Sequence, residues 1–459
     1  MTKPLSSSTD LGSLSPEWRR AFDWVEQTTG GKVVRAERQV RWRPAWFLDV
    51  EKDGELLPLF WRGDRGLEGI NSVYNAEYEA AFYPILEKHG LPVPHLHGLC
   101  RDPLGQLIDR MPGRHNLGTT KDKTEQASVL AHYMELLAQI HAIDPAEFER
   151  VGLKRPGTPR EIALGDFDLW ESEYRKAKRC PNPTIEFLIQ WCRRNAPERD
   201  EVSLALSDAG QFLFDKGRVT AVLDLEMGFL GDPLADLAAL RTRDLGEPLG
   251  DLAAGFRHYE KVSGRRVDPD VLRYHTVRFN LYTPLTTAHL VADPPPELDW
   301  ALYQAWQVVW GRASLQGIAE LMGIEVASPP LPAPAVTRRS AAVNSLVTLL
   351  GSPAEGGEES EFQRYDRDRA LRTALTLQRA DQLGPAFEAE DQDQVSALLG
   401  RRPGNWEETE AALEGFVLAA GPDQDEALLR FFLQRNHREY ELHRPALREL
   451  EDASMQPLL

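Results

Sequence analysis

The stretch LALSDAGQFLFDKGRVTAVLDLEMGFLGDPLADLAALR, residues 204–241, constrains this chain more than any other. Alternating apolar residues flank Asp215-Lys216-Gly217, a pattern that predicts two antiparallel strands joined by a tight turn. A short strand over 202–206 precedes them. Asp208 then falls on the loop after that strand, Gln211 opens the first hairpin strand and Asp224 ends the second. Antiparallel pairing returns Asp224 beside Gln211. A carboxylate and a carboxamide oxygen so converge on one point, the oxygen-only donor set that Mg2+ prefers. Asp208, one loop away, is placed to accept a proton from a hydroxyl.

The rest of the chain is read as the frame around this stretch. Residues 1–15 are polar and read as a flexible lead-in. Residues 16–112 read as a small α+β lobe. It holds a helix near Pro16–Gly30, extended stretches at 35–50 and 55–62 around a Lys52-Asp53-Gly54 turn, a helix over about 73–89, and two further short strands. Residues 113–325 read as mostly helical, with segments at 125–143, 246–262, 269–292 and 297–322, and with the hairpin as a β-rich island. SPPLPAPA at 328–335 is a stiff connector and SPAEGGEES at 352–360 a flexible one, so 326–360 reads as a linker. Residues 361–459 read as four helices, with Asn405-Trp-Glu-Glu and Asp423-x-x-Glu426 resembling capping boxes. This C-terminal helical segment is a candidate for docking a protein partner or a second copy.

An Asp base, an amide metal ligand and an Asp metal ligand are recurring parts of kinase-type phosphoryl transfer. The stretch resembles the catalytic core of the aminoglycoside phosphotransferase/choline kinase-like superfamily, whose pattern runs HGD-x4-N, hairpin, (I/L)D(W/L)E, GDPxxDLA. This chain has VLDLE at 222–226 and GDPLADLA at 231–238. The resemblance implies a two-lobed protein-kinase-like fold, with a β-rich N-terminal lobe, a mainly helical C-terminal lobe and the C-terminal helices added. It implies ATP and Mg2+, a hydroxyl-bearing small molecule as acceptor, Asp208 as base, Asp224 and Gln211 as metal ligands, and Glu226, Asp232 and Asp236 as supports.

The upstream half departs from that pattern. HGD becomes Leu206-Ser207-Asp208, and the amide follows the Asp by three residues instead of five. Two alignments compete: with a two-residue deletion Asp208 is the base, and without a gap Leu206 takes its place and the site is dead. In the first lobe the resemblance puts Arg62 at the phosphate-facing position of the third strand, Glu77 as its helix partner, and Asp109–Met111 at the hinge that would meet adenine. The nucleotide loop RWRPAWF, 41–47, has no glycine, which leaves Arg41 or Arg43 to reach phosphate by side chain. The wording LDxE…LGDPLADLA is closer to kinase domains for hydroxyacyl-CoA than to antibiotic-resistance enzymes. A degenerate relative that binds nucleotide or a partner without turnover is the competing expectation.

Composition removes other classes. The formal net charge of −18 works against a nucleic-acid binder. Three cysteines, none in a CxxC, exclude a disulfide scaffold and argue against a thiolate zinc site. No apolar run reaches the ~18 residues a membrane span needs, and the first residues lack a signal-peptide core. A cytoplasmic protein is the expectation. His95-x-His97 reads as surface, His132 and His141 as packing or surface, and Cys192 beside Trp191 as core.

Overall fold

The computed structural model describes residues 11–39, 43–64, 73–296, 298–325, 327–352 and 360–458. Along the chain run α1 (Pro16–Thr29), β1 (Lys32–Arg38), β2 (Ala45–Lys52), β3 (Glu55–Gly63), α2 (Ala76–Ala80), α3 (Tyr83–Lys88), β4 (Leu96–Arg101), β5 (Leu104–Asp109), α4 (Lys123–His141), α5 (Pro145–Glu149) and α6 (Pro159–Leu164). Next come α7 (Phe167–Ala177), α8 (Pro183–Arg194), β6 (Ser203–Ala205), β7 (Phe212–Asp215), β8 (Arg218–Val222), β9 (Phe229–Gly231), α9 (Leu234–Arg243) and α10 (Leu252–Ser263). The remainder is helical: α11 (Pro269–Ala292), α12 (Trp300–Met322), α13 (Ser340–Gly351), α14 (Glu361–Leu399), α15 (Trp406–Ala419) and α16 (Asp425–Leu447). An α+β fold follows, with the first sheet antiparallel and most of the rest helical.

The chain divides into two compact units. One takes residues 1–165, 198–267 and 457–459, and the other 166–197 and 268–456. The cuts do not fall at the Pro-rich junction. Residues 166–197 and 268–325, read from sequence with the 113–325 lobe, group with the C-terminal helices instead, because α12 packs on both α11 and α16 and α8 packs on α15. Ala305, Val308 and Val309 share a core with Tyr440 and Leu447.

In the first unit a five-stranded antiparallel sheet has the order β1-β2-β3-β5-β4. The β2–β3 hairpin turns at Asp53 and Gly54, both at positive φ (53° and 82°), the geometry whose twist matches the strands. The register pairs Trp46 with Trp61 and Leu48 with Leu59, so one sheet face is apolar. Helix α1 covers that face through Ala21, Phe22 and Val25. It starts on a Ser15 side chain that accepts the Trp18 amide, with Pro16 in its first turn. Trp18 meets Trp46 and Trp61 edge-on, at 5.2 and 5.1 Å between ring centres. Because side chains alternate along a strand, Arg62 next to the buried Trp61 faces the other side of the sheet. That side carries the candidate site.

Some elements differ from the reading. The helix expected over 73–89 is broken at Ala81–Phe82 into α2 and α3. Pro84 lacks the amide that a continuous helix would need and sits in the first turn of α3. The four C-terminal helices are three among the described residues. Residues 361–399 form one helix from a Ser360/Gln363 capping box to Gly400 at φ 65°. Asn405 does cap α15 through the Glu408 amide, whereas Asp423 lies in a 3-10 turn ahead of α16. Residues 1–10, Arg41 and most of the 352–360 linker lie outside the described residues.

Candidate active site

Helix α2 sets one side of the site. Ala76, Glu79 and Ala80 share its buried face, three and four residues apart. Glu77, two residues before Glu79, points roughly 200° away at about 100° per residue. Hence the partner of Arg62 is Glu79, and the expected Glu77 is not. Glu77 is 55% exposed and pairs with Arg101 at 3.1 Å. Glu79 is fully buried. Its Oε2 lies 3.4 Å from Arg62 Nε and accepts from Gln106 at 2.5 Å. Its Oε1 accepts from the Tyr83 hydroxyl and from the Leu225 amide, both at 3.1 Å. Gln106 stands directly across the sheet from Arg62, which is why both reach one carboxylate.

The β7–β8 hairpin sets the other side. It turns at Lys216 and Gly217, both at positive φ. Phe212 pairs with Val222, and the Leu223 amide donates to the Gln211 carbonyl at 3.0 Å, so Gln211 stands across from Leu223 and beside Asp224. Asp224 itself has φ 59°, a conformation rare for a non-glycine residue outside constrained sites. This turn sends its carboxylate to Arg62, which bonds Asp224 Oδ1 through Nη2. The same Nη2 lies 3.4 Å from Glu226. Arg43, from the segment between β1 and β2, places its Nη2 2.6 and 2.7 Å from the two oxygens of Glu226. Arg43 is thus engaged by an acid of the site. Burial by itself would lower the basicity of Arg62, but Asp224, Glu79 and Glu226 outweigh it and hold the guanidinium protonated well above its ordinary value. The pKa of Glu79 is raised as well: burial raises it more than Arg62 lowers it.

Asp208 and Leu206 are separated clearly by environment. Leu206 is buried, while the partly exposed Asp208 accepts from Gln211 Nε2 at 2.6 Å and from Arg243 Nη2 at 2.5 Å. Its loop is held from below. Asp236, fully buried, accepts the amides of Leu206 and Ser207, each at 2.9 Å. His141 Nε2 lies 3.0 Å from Asp236, and its other nitrogen 2.7 Å from the Tyr259 hydroxyl. Asp232 pairs with Arg199 and accepts the Leu234 amide at the start of α9. At the hinge, the Asp109 side chain meets His97 at 2.8 Å. The Asp109 and Arg110 amides are already bonded to the carbonyls of His95 and Pro58.

Several members of this network are not among the site residues that the sequence suggests, Glu79, His141 and Arg243 among them. Glu79 was hidden by helix phase. His141 reads from the sequence as packing or surface, and the structure buries it against Asp236. Arg243 ends α9 seven residues after Asp236, two turns along the same helix face, and that spacing was the available signal.

The donor set at Asp224, Glu226 and Gln211 is oxygen only, and cationic groups already gather there, so these residues fit a magnesium ion. Among the described residues no group of three or more His, Cys, Asp or Glu side chains could hold a metal by itself. Two carboxylates completed by phosphate oxygens and water is the arrangement Mg2+ takes in phosphoryl-transfer sites. No helix among the described residues is long and apolar enough to cross a membrane.

Comparison with known proteins places this site in context. Residues 70–274 match the family model for the phosphotransferase enzyme family, APH. Acyl-CoA dehydrogenase family member 10 of Mus musculus is 27% identical over 263 residues, covering 54% of this chain and 23% of that protein. Acyl-CoA dehydrogenase family member 11 of Gallus gallus is 27% identical over 244 residues, covering 50% of this chain and 30% of that protein. The chain therefore spans less than a third of the length of these curated relatives. Among solved structures, an aminoglycoside phosphotransferase candidate from Ralstonia eutropha JMP134 superposes with a TM-score of 0.51 at 17% identity, over 67% of this chain and 99% of the other. That likeness shows a shared fold.

Proposed function

We propose that this chain, whose residues 70–274 match the phosphotransferase enzyme family and whose fold is kinase-like, is an ATP- and Mg2+-dependent small-molecule kinase. The observation that carries this reading is the joining of Arg62, Glu79, Asp224 and Glu226 in one buried network beside the Asp208 loop.

In the proposed reaction Asp208 takes the proton of the acceptor hydroxyl as that oxygen attacks the γ-phosphorus. The new O–P bond forms, the bond to the ADP oxygen breaks, and Asp208 later returns its proton to solvent. Arg62, fixed by Glu79, orients the phosphates. The Met111 backbone, next to the two committed hinge amides, takes the adenine together with the Asp109 carbonyl. A magnesium ion held by Asp224 and Gln211, with Glu226 adjacent, supplies charge neutralisation on the polyphosphate when bound. Asp232 and Asp236 keep the loop backbone in place. The acceptor we favour is a hydroxyacyl-CoA or a similar catabolic metabolite, since the curated relatives carry acyl-CoA dehydrogenase names.

A second reading, nucleotide or partner binding without turnover, is favoured by the engagement of Arg43 with Glu226 and by Leu206 in the place of the family His. Phosphorus NMR of Mg·ATP with hydroxyacyl-CoA acceptors separates the two. Transfer is expected in the wild type, with a loss of about 10^2-fold or more in Asp208→Ala and Asp224→Ala. Full activity in Asp208→Ala removes Asp208 as base, and nucleotide binding with no transfer favours the second reading.

A further inference from the structure

Two guanidinium groups stand on the carboxylates that an oxygen-donor metal site would use. Arg43 reaches both oxygens of Glu226. Arg62 bonds Asp224 and approaches Glu226, so it bridges the two acids. Exposure of the Arg43 and Glu226 side chains is only 6% and 7%. Two positive charges thus stand at Asp224 and Glu226, the same charge a divalent ion would bring, with Glu79 a third acid on the far side of Arg62. For a free ion to enter, it must take Glu226 from a buried arginine, and weakening a buried ion pair is strongly unfavourable. A polyphosphate changes that balance, because its oxygens offer the arginine a new anionic partner with bidentate geometry.

We propose that Arg43 is a metal-mimicking latch. In the nucleotide-free protein it satisfies Glu226 alongside Arg62, so a divalent cation is accepted only together with a polyphosphate that takes over Arg43. The proposal rests on reading Asp224 and Glu226 as the metal acids of a phosphotransferase. It extends that reading to the order of binding: metal and nucleotide enter as one complex, and neither the metal alone nor a preloaded metal form precedes them.

The test is direct binding of Mn2+, read from the free-ion EPR signal, with and without AMP-PNP. Wild type is expected to take up Mn2+ with AMP-PNP and not without it. Arg43→Gln is expected to bind Mn2+ alone, at least about tenfold more tightly than the tightest binding that could go undetected in wild type, and Arg43→Gln with Glu226→Gln is expected to lose that gain. If Arg43→Gln does not fold, Arg43→Lys decides instead, since it keeps the charge but loses the fork, with an expected gain of about threefold. Equal binding of Mn2+ alone by wild type and variant overturns the latch, as does no binding by any variant. Absence of phosphoryl transfer with the expected binding pattern intact overturns the phosphotransferase reading and leaves the latch standing.

Discussion

Replacing Glu79 isolates the joint that the helix reading placed two residues away. Its carboxylate accepts hydrogen bonds from Gln106, Tyr83 and the Leu225 amide and faces Arg62. Glu79→Ala leaves three buried neutral donors without an acceptor. Each orphaned buried donor costs roughly 1–3 kcal/mol. The Tyr83 hydroxyl can rotate and water can enter the space left, so the sum falls toward the lower end, about 3–5 kcal/mol. Arg62 keeps Asp224 and Glu226, so the larger cost of an isolated buried charge does not arise. Glu77→Ala removes only an exposed pair with Arg101 and is expected to cost less than about 0.5 kcal/mol. Urea unfolding followed by circular dichroism and intrinsic fluorescence measures both, and AMP-PNP affinity gives a second readout, since Arg62 loses its orientation only in the Glu79 variant. Equal effects of the two substitutions, or a Glu79→Ala cost below about 1 kcal/mol, would refute the placement of the joint at Glu79.

Two further outcomes test other parts of the molecule. Cys180 is exposed while Cys100 and Cys192 are buried, and burial pushes the Cys192 thiol up to about 12; a maleimide at neutral pH is expected to label Cys180 alone, and labelling of native Cys192 would contradict the packing around α8. In the helical unit, Asp391 pairs with Arg435 and Arg438, and although burial opposes it, their hydrogen bonds and charge hold its pKa below the ordinary 3.8. A carboxylate lowered on folding stabilises above its unfolded pKa, so Asp391→Asn is expected to cost about 2 kcal/mol at neutral pH. That gap should narrow as pH falls from 3.8 through the lower folded value, and a gap that widens toward acid would refute the pairing.

Which features were legible in the sequence follows from how local their causes are. Both hairpin turns were readable because Asp53-Gly54 and Lys216-Gly217 supply the positive φ that such turns require within two residues. The start of α1 was readable from Ser15 and Pro16 for the same reason. Helix phase was less accessible. Glu77 and Glu79 sit in one short acidic run, and only the burial of Ala76 and Ala80 decides which of them turns inward. The grouping of 166–197 and 268–325 with the C-terminal helices left no local trace, since it depends on which apolar helix faces meet across 100 or more residues of chain.

The site shows the same division in its charges. Within 204–241 the acids stand close together, and read locally they describe a strongly anionic pocket. Apart from Asp215 in the hairpin turn, however, each one meets a basic or imidazole partner from elsewhere. Arg243 meets Asp208 at a separation of 35 residues, Arg199 meets Asp232 at 33, and His141 meets Asp236 at 95. For Arg62 with Asp224 and Arg43 with Glu226 the separations are 162 and 183. Density of acids in a motif therefore says little about the potential at the folded site, because their neutralising partners are invisible at motif range. The consequence bears on the acceptor. A polycationic acceptor draws its affinity from unpaired carboxylates, and here the proposed base Asp208 has an arginine at 2.5 Å and the proposed metal acids have two more. Under the proposed function, such a balance favours a neutral or anionic hydroxyl compound, the character of an acyl-CoA ester, over an aminoglycoside. On the proposed reading, the match of residues 70–274 to the phosphotransferase family speaks for the transfer chemistry, and the scattered arginines speak for the character of the acceptor.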